Sequence, residues 1–384
     1  MDLDEFRTAL DEWLDEHHDQ LEPHDSHGVA VDVHEDLALD EHMAHLSTVK
    51  RLVYDADFMR WGWPERVGGL GGSTLMRGYL GEALTARGYV EPGLYSMTEV
   101  LAPTMIDYAS EELAAEMVPR LLRGDETWCQ GFSEPGTGSN LGSLTCKATR
   151  GDGGWIVNGQ KVWTSLAQYA QRCILLTRTR EVETAHRGIT ALFVDVDTPG
   201  ITIRPILTMH GALEFCEVFF DDVFVPDARM LGDEGQGWSV AMDLLPFERS
   251  TSLWHRGAFL RRRMSQLLTQ APEGSLDPLE VGEVAQLLYA FRARSRATQY
   301  RMAAGGTLGP ETSIDKVLVA TSEQAVMDLA LNGLGPDLVM GDGDVDTKWR
   351  TEYLYSRAAT IYGGSAEIQR NIIARRLLDL GADR

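Results

Sequence analysis

Residues 132–140 read FSEPGTGSN, a glycine-rich bend at the start of a region that differs from both of its flanks. Between residues 127 and 225, short apolar runs such as residues 173–176 are separated by turn signals such as Asn158-Gly159. Several short strands at this spacing are typical of a β-barrel or a β-sandwich. We therefore predict a central β-domain.

Both flanks of the β-domain carry the periodicity of helices. Residues 3–20 place an apolar stripe on one face of an amphipathic helix, made of Leu3, Phe6, Leu10, Trp13 and Leu14. Helical patterns then cover residues 74–89 and 110–122. After residue 237 the helical period returns and continues to residue 380, with loops expected at 271–279, 305–312 and 333–347.

This pattern predicts an α+β multidomain chain of 384 residues, long enough for two or three packed domains. We expect a helical domain at residues 1–122, the β-domain at 123–230 and a second helical domain at 231–384.

The charge of the chain excludes several kinds of partner. Its 58 acidic and 35 basic residues give a net charge of −23, which repels nucleic acid and anionic membrane surfaces. No stretch approaches 18 consecutive apolar residues, so no membrane span is expected. The four cysteines, Cys129, Cys146, Cys173 and Cys216, form no CxxC pair and indicate buried free thiols in a reducing cytoplasm.

A metal site is not expected either. Seven of the ten histidines lie in the first 45 residues, but no pair has H-E-x-x-H spacing, so a solvated polar face is the better interpretation. Residues 342–346 (DGDVD) begin like a calcium loop but lack its glycine and its closing glutamate.

Five segments, in the same order and spacing, resemble the signature motifs of the acyl-CoA dehydrogenase family. No single segment is decisive, but the ordered set is highly specific. The resemblance covers nearly the whole chain and implies an N-terminal helical domain, a central β-domain and a C-terminal four-helix-bundle domain. The segments are 63–73 (WPERVGGLGGS), 132–140, 158–165 (NGQKVWTS), 218–226 (VFFDDVFVP) with 231–237 (LGDEGQG), and 359–370 (ATIYGGSAEIQR).

The resemblance implies FAD as the cofactor. Trp163 is expected to shield the flavin ring and Ser165 to bind its N5, whereas without the motif Trp163 would be assigned to the core of a strand. The bend at 132–140 would otherwise be an ordinary β-turn; its glycines allow close approach to a ligand. The cofactor-contacting residues implied are Phe132, Ser133, Gly138, Ser139, Trp163, Thr164, Ser165, Ser365 and Glu367.

The catalytic base is the feature in which the chain differs from much of that family. Many members carry a base in an Ile-Tyr-Glu-Gly-Thr motif, and here Gly363 takes the place of that glutamate. In a branch resembling isovaleryl-CoA and long-chain dehydrogenases, the glutamate lies on an earlier helix, where this chain has Glu248 within residues 244–249 (LLPFER). The paired exchange predicts Glu248 as the base that removes the α-proton of the thioester, whereas Glu248 alone would equally be a surface residue paired with Arg249.

The same resemblance implies the remaining site residues. Gly363 keeps a backbone N–H that can stabilise the enolate-like transition state. Substrate contacts are expected from Ser139, Arg249, Tyr362 and Gly364. The expected partners are an acyl-CoA or acyl-carrier-protein thioester and an electron-transfer flavoprotein or similar acceptor.

Three departures from the family pattern leave open which subunit completes the FAD site (the first two) and how the pantetheine arm of the substrate is held (the third). No Arg-x-x-Phe-Gly motif occurs near residues 265–285, residues 332–337 (NGLGPD) replace a Gln-x-x-Gly-Gly segment, and Pro246 replaces a frequent aspartate. A homotetramer and a heteromer with a paralogue are both compatible with the sequence. So are three activities: a working dehydrogenase, a catalytically silent subunit, and another flavin oxidase or hydroxylase chemistry.

Overall fold

The computed structural model describes residues 1–22, 37–180 and 185–381 of the chain. In this part, a helical region is followed by a mixed β-sheet and then by a second helical region. The predicted order of helices, strands and helices is therefore confirmed.

The N-terminal region is built from helices that pack on one apolar core. The first helix begins with a capping box between Asp2 and Glu5, and it buries Phe6, Leu10 and Leu14 as its periodicity predicts. The helices described are α1 (Leu3–Glu16), α2 (His18–Leu21), α3 (Leu37–Asp55), α4 (Thr74–Arg87), α5 (Pro92–Tyr108) and α6 (Glu111–Arg123).

Helices α3 and α5 were not among the predicted helical patterns. In α5 the periodicity is hidden because the helix is buried on most of its surface, including Glu99 and Thr104. Pro92 is the first residue of α5, where its missing N–H costs nothing. The helix also continues through Pro103. Proline was therefore a poor guide to where helices end in this region.

The central region is one sheet, to which the described residues contribute eight strands. The strands are β1 (Trp128–Gly131), β2 (Lys147–Gly151), β3 (Gly154–Ser165), β4 (Arg172–Arg178), β5 (Ile189–Asp195), β6 (Ile201–Ile206), β7 (Phe215–Pro226) and β8 (Met230–Leu231). Their order is β6-β7-β3-β2-β4-β5-β8, and β1 pairs in parallel with β4. The long antiparallel pair β3–β7 loses register twice, the second time between Lys161 and Thr164.

The four cysteines are buried free thiols, as predicted. They are far apart in sequence but belong to one apolar cluster inside the sheet region. Cys129 of β1 lies directly opposite Cys173 of β4 in the parallel register. Strand pairing therefore brings together residues that the sequence separates.

The described part of the C-terminal region contains six helices, of which the first three are the longest. The predicted loop at 333–347 is only partly a loop, because Pro336 starts a short helix there and Asp344 begins the next. The helices are α7 (Gly237–Gln270), α8 (Pro278–Ala303), α9 (Thr312–Leu334), α10 (Pro336–Met340), α11 (Asp344–Ser356) and α12 (Ala366–Ile372).

Within the described residues, no helix has the length and apolar character needed to cross a membrane. The same residues contain no group of three or more histidine, cysteine or acidic side chains suited to a metal ion. Three of the clustered histidines, His24, His27 and His34, lie outside the described residues.

Candidate active site

Glu248 and Gly363 meet at the centre of the candidate site. Glu248 lies in the first half of α7, and Gly363 lies in the loop that precedes α12. A Cβ added to Gly363 would lie 3.2 Å from Glu248 Oε1. The carboxylate of Glu248 therefore fills the space that a side chain at position 363 would need.

The loop around Gly363 is held by two side chains. Arg249 Nε donates to Gly363 O at 3.2 Å, and Gln369 Nε2 donates to the carbonyls of Gly363 and Gly364 at 3.0 and 3.2 Å. Both glycines have positive φ, +63° and +89°, which other residues adopt only with strain. Burial lowers the pKa of Arg249, whereas the charge of Glu248 opposes that shift.

Buried charges lie beneath this loop. Lys316 of α9 is 3% exposed, and its Nζ lies 3.7 Å from the ring centroid of Tyr362. Next to it, Arg256 of α7 binds both carboxylate oxygens of Glu323, at 2.8 and 2.6 Å. This region therefore contains the ion pair between Arg256 and Glu323 and a second buried cation, Lys316.

A second carboxylate belongs to the same neighbourhood. Glu214 lies just before β7, and burial raises its pKa to about 7, with opposing contributions from Arg256 and from a hydrogen bond to Tyr355. The ring of Tyr355 lies 6.3 Å from that of Tyr362 and 5.1 Å from that of His210. Burial lowers the pKa of His210 to about 4.

The sheet side of the site is fixed by a buried ion pair. Lys161 Nζ donates to Glu134 Oε1 at 2.8 Å and to Phe132 O at 3.1 Å. The carboxylate of Glu134 also accepts the backbone N–H groups of Thr145 and Cys146. Because Lys161 is fully buried, this pair holds the bend at 132–140 against β3.

Three observations on the sheet side fit a flavin. Trp163 has φ +59° and is 58% exposed despite its size, because it lies in the register shift of β3. The buried hydroxyls of Thr137 and Thr164 have no hydrogen-bond partner among the described residues. A Cβ on Gly138 would meet no atom within 4 Å, so the bend is open to a ligand. The residues present therefore fit the FAD that the sequence motifs imply.

The two sides of the site are joined by contacts between elements. Gln130 Nε2 of β1 donates to Glu248 Oε2 at 3.4 Å, and the backbone N–H of Leu166, just after β3, donates to Glu214 O at 2.7 Å. The ring of Trp163 lies 6.2 Å from that of Phe215. Gln130 lies two residues before the bend at 132–140, so Glu248 contacts the strand that leads into that bend.

The other predicted residues are distributed around the site. Phe132 is buried, and Ser139 is exposed in the bend. The backbone carbonyl of Ser133 accepts a hydrogen bond from the backbone N–H of Val162 at 3.0 Å. Ser365 caps α12, its hydroxyl accepting the N–H of Ile368 at 3.4 Å, and Glu367 lies exposed in the first turn of that helix.

Several residues around the site were not predicted from the sequence, among them Gln130, Glu214, Lys316 and Gln369. Gln369 lies inside the motif segment 359–370, but its hydrogen bonds to the glycine carbonyls cannot be inferred from the periodicity of the sequence. Lys316 lies on the same helical face as Val319 and Glu323, but α9 carries several other polar residues, so its burial is not evident from the sequence. Gln130 and Glu214 carry no sequence signal that distinguishes them from surface residues.

Comparison with known proteins agrees with the order of the three regions. Three domain families match in order: acyl-CoA dehydrogenase, N-terminal domain at residues 5–125, middle domain at 129–223 and C-terminal domain at 235–378. The acyl-CoA dehydrogenase IpdE1 of Mycobacterium tuberculosis is 38% identical over 323 residues, which cover 83% of this chain and 84% of that protein.

Solved structures are similar over nearly the full length. The ChsE4–ChsE5 complex from Mycobacterium tuberculosis matches with a TM-score of 0.76 at 25% identity, covering 99% of this chain and 98% of that one. The Tcur3481–Tcur3483 steroid ACAD matches with a TM-score of 0.77 at 23% identity, covering 92% and 100%. The domain matches and the identity to IpdE1 together show that the chain belongs to the acyl-CoA dehydrogenase family of FAD-binding oxidoreductases.

Proposed function

We propose that the chain converts an acyl-CoA thioester into the 2,3-enoyl thioester, with Glu248 as the base that removes the α-proton. The observation that carries the proposal is the 3.2 Å distance between Glu248 Oε1 and the Cβ position of Gly363. The carboxylate of Glu248 therefore extends from α7 to position 363, at which other family members are expected to carry the catalytic glutamate.

The surroundings of Glu248 suit this role. The α-proton of a thioester is weakly acidic, so its base must be a positioned carboxylate that is partly shielded from water. Glu248 is half-buried, and Gln130 donates to one of its oxygens. The other oxygen faces the Gly363 loop, so it is directed towards the expected position of the substrate.

Gly363 contributes through its backbone. Its N–H is a candidate donor to the thioester carbonyl, on which negative charge develops as the α-proton leaves. Arg249 and Gln369 both bind Gly363 O, so they fix the orientation of the adjoining peptide groups. Loss of the side chain at position 363 therefore leaves this electrostatic contribution in place.

FAD, when bound, supplies the acceptor for the hydride that leaves the β-carbon. Within the chain, Trp163 offers an apolar ring face, and the free hydroxyls of Thr137 and Thr164 offer hydrogen bonds. We assign the cofactor to this surface, together with Ser133, Ser165 and the open bend at Gly138.

Anaerobic mixing with a panel of acyl-CoA thioesters tests this activity. Bleaching of the flavin absorption band, with an enoyl product that has lost two hydrogens, is the expected result. A flavin-containing protein that no thioester bleaches would contradict the proposal. Rapid oxygen consumption with a thioester would instead favour an oxidase.

We propose further that a second, related chain completes the FAD site. Residues 271–277 connect α7 to α8 without the arginine motif that reaches FAD in the family pattern. Two similar solved structures are complexes of two named chains, ChsE4–ChsE5 and Tcur3481–Tcur3483. Co-expression with a paralogue should raise FAD content per chain, whereas a homotetramer with one FAD in every subunit would contradict this assembly.

A further inference from the structure

We infer that Gln130 is a positioning residue for Glu248: its side-chain amide holds one carboxylate oxygen, so that the other oxygen stays directed at the loop around Gly363. The inference rests on the proposed function, in which the carboxylate of Glu248 removes the α-proton. Gln130 belongs to β1 and Glu248 to α7, so the contact joins the sheet to the helix that carries the base.

Gln130 lies on the face of β1 that packs against helices. Successive side chains of a strand point to opposite faces, so Gln130 shares its face with Trp128 and with Phe132 just beyond the strand. Trp128 and Phe132 are buried in the apolar cluster of the N-terminal helices, whereas Cys129, on the other face, belongs to the cluster inside the sheet. Gln130 is therefore a polar side chain between two buried apolar ones.

Glu248 reaches the same place from α7. Leu244 lies one turn earlier on the same face of this helix and is fully buried in the cluster that contains Trp128 and Phe132. At the edge of that cluster, Gln130 Nε2 donates to Glu248 Oε2 at 3.4 Å. Because a polar group that loses water without gaining a partner is costly, the amide and the carboxylate satisfy each other there.

The amide extends from a fixed part of the sheet. In the parallel pair of β1 and β4, Gln130 lies opposite Ile174. Two residues later, Phe132 O accepts a hydrogen bond from the buried Lys161 Nζ at 3.1 Å. The backbone of Gln130 is therefore held on both sides of the strand, as a group that positions another side chain requires.

The two ends of the Gln130 amide differ. Gln130 Oε1 is buried and has no hydrogen-bond partner among the described residues, so the donor end is the one that contacts the protein. On the carboxylate, Oε2 accepts from Gln130, while Oε1 lies 3.2 Å from the Cβ position of Gly363. Without the donor on Oε2, the carboxylate is free to rotate away from position 363.

Gln130→Leu removes the donor and retains a side chain of similar size. We expect the limiting rate of flavin reduction to fall about tenfold, the lower end for a hydrogen bond to a charged group, because the contact is long. FAD content and the half-saturating thioester concentration should remain as in wild type. The urea midpoint should not fall, since leucine suits a space between Trp128 and Phe132.

The experiment measures flavin reduction by stopped flow in the assembled holoenzyme, with the acyl-CoA that bleaches the wild-type flavin fastest. Gln130→Met repeats the test with an unbranched side chain, in case the leucine variant does not fold. Gln299→Leu is the matched control and should keep the wild-type rate. Gln299 is also buried and donates to a carboxylate at 3.4 Å, but its partner is Glu82, so that pair joins α8 to α4.

A second measurement shows whether Gln130 acts through Glu248. In Glu248→Asp the shorter carboxylate no longer reaches Gln130, so adding Gln130→Leu should slow flavin reduction by less than about twofold. A full tenfold loss in that background would mean that Gln130 acts by another route, and the inference would be wrong.

A lower limiting rate in the leucine or methionine variant, with normal FAD content and urea midpoint, supports the inference. If both variants slow only together with a loss of FAD or of stability, Gln130 supports the fold alone and the inference is overturned. Glu248→Gln separates the two levels: if it reduces flavin at the wild-type rate, the proposed function fails. If it is inactive while the Gln130 variants keep the wild-type limiting rate, only the inference fails.

Discussion

Glu248 Oε1 lies 3.2 Å from the point where a Cβ on Gly363 would begin, so the two positions compete for one space. A side chain at 363 would press on the carboxylate of Glu248, which would have to move by a few tenths of an ångström. In the proposed mechanism, a glycine in the loop before α12 therefore leaves room for a base from α7.

The first prediction concerns Gly363→Ala. Its Cβ would approach both Glu248 Oε1 and Lys316 Cε, at 3.2 and 3.4 Å, and its φ of +63° adds strain of about 1 kcal/mol. We expect slower flavin reduction because Glu248 is displaced. Gly153→Ala is the control: its φ is +70°, but no atom lies within 4 Å of its Cβ position. Equal effects of the two variants on the rate would argue against the shared space.

The second prediction moves the base. Glu248→Gly should abolish flavin reduction. Adding Gly363→Glu should recover part of it, because the side chain at 363 begins 3.2 Å from the position that Glu248 Oε1 occupies in the wild type. Recovery will be incomplete, since glutamate at φ +63° is strained. Rates of flavin reduction in the single and double variants measure the effect. No gain in the double variant would show that the two positions do not serve one substrate atom.

The third prediction concerns Trp163→Ala. The exposed ring of Trp163 should contact the flavin, and such aromatic contacts contribute about 0.5–1.5 kcal/mol beyond their buried area. We expect FAD to bind about tenfold more weakly, as measured by flavin absorbance retained after gel filtration. Tyr289→Ala, which removes another exposed aromatic side chain, should retain FAD normally. Unchanged FAD occupancy and an unchanged flavin spectrum in Trp163→Ala would show that the cofactor binds elsewhere.

The fourth prediction is a loss of stability in acid. Burial, with a smaller contribution from Arg77, lowers the pKa of His255 to about 3, against about 6.5 in an unfolded chain. Below pH 6.5 the unfolded chain therefore binds a proton that the folded chain does not. The free energy of unfolding falls by up to about 1.4 kcal/mol per pH unit from this residue, until pH 3 is approached.

His255→Gln should flatten that dependence, as measured by urea midpoints from pH 7 to pH 5 with excess FAD. His210, whose pKa burial lowers to about 4, will keep part of the slope in this variant. His186→Gln, at an exposed position, should retain the wild-type slope. If the slopes of all three proteins coincide, His255 is not the group that titrates.

The sequence predicted the order of domains and the pairing of Glu248 with Gly363 because both leave local signals. Period and turn residues identify strands and helices, and Glu248 was predicted as the base from two correlated exchanges. Lys316 and Glu214 could not be placed in this way, since their surroundings depend on which helices and strands pack together. For the same reason the sequence did not show that Cys129 would lie opposite Cys173.

Flavin reduction in Glu248→Gln tests the central claim most directly. The variant keeps the shape of the side chain but cannot accept the α-proton, so FAD and substrate should still bind. We expect the rate of flavin reduction to fall by about 10²–10⁴-fold, which is the usual contribution of a general base. Glu273→Gln, in the exposed loop after the same helix, should reduce its flavin at the wild-type rate. Reduction of Glu248→Gln at the wild-type rate would show that another group is the base.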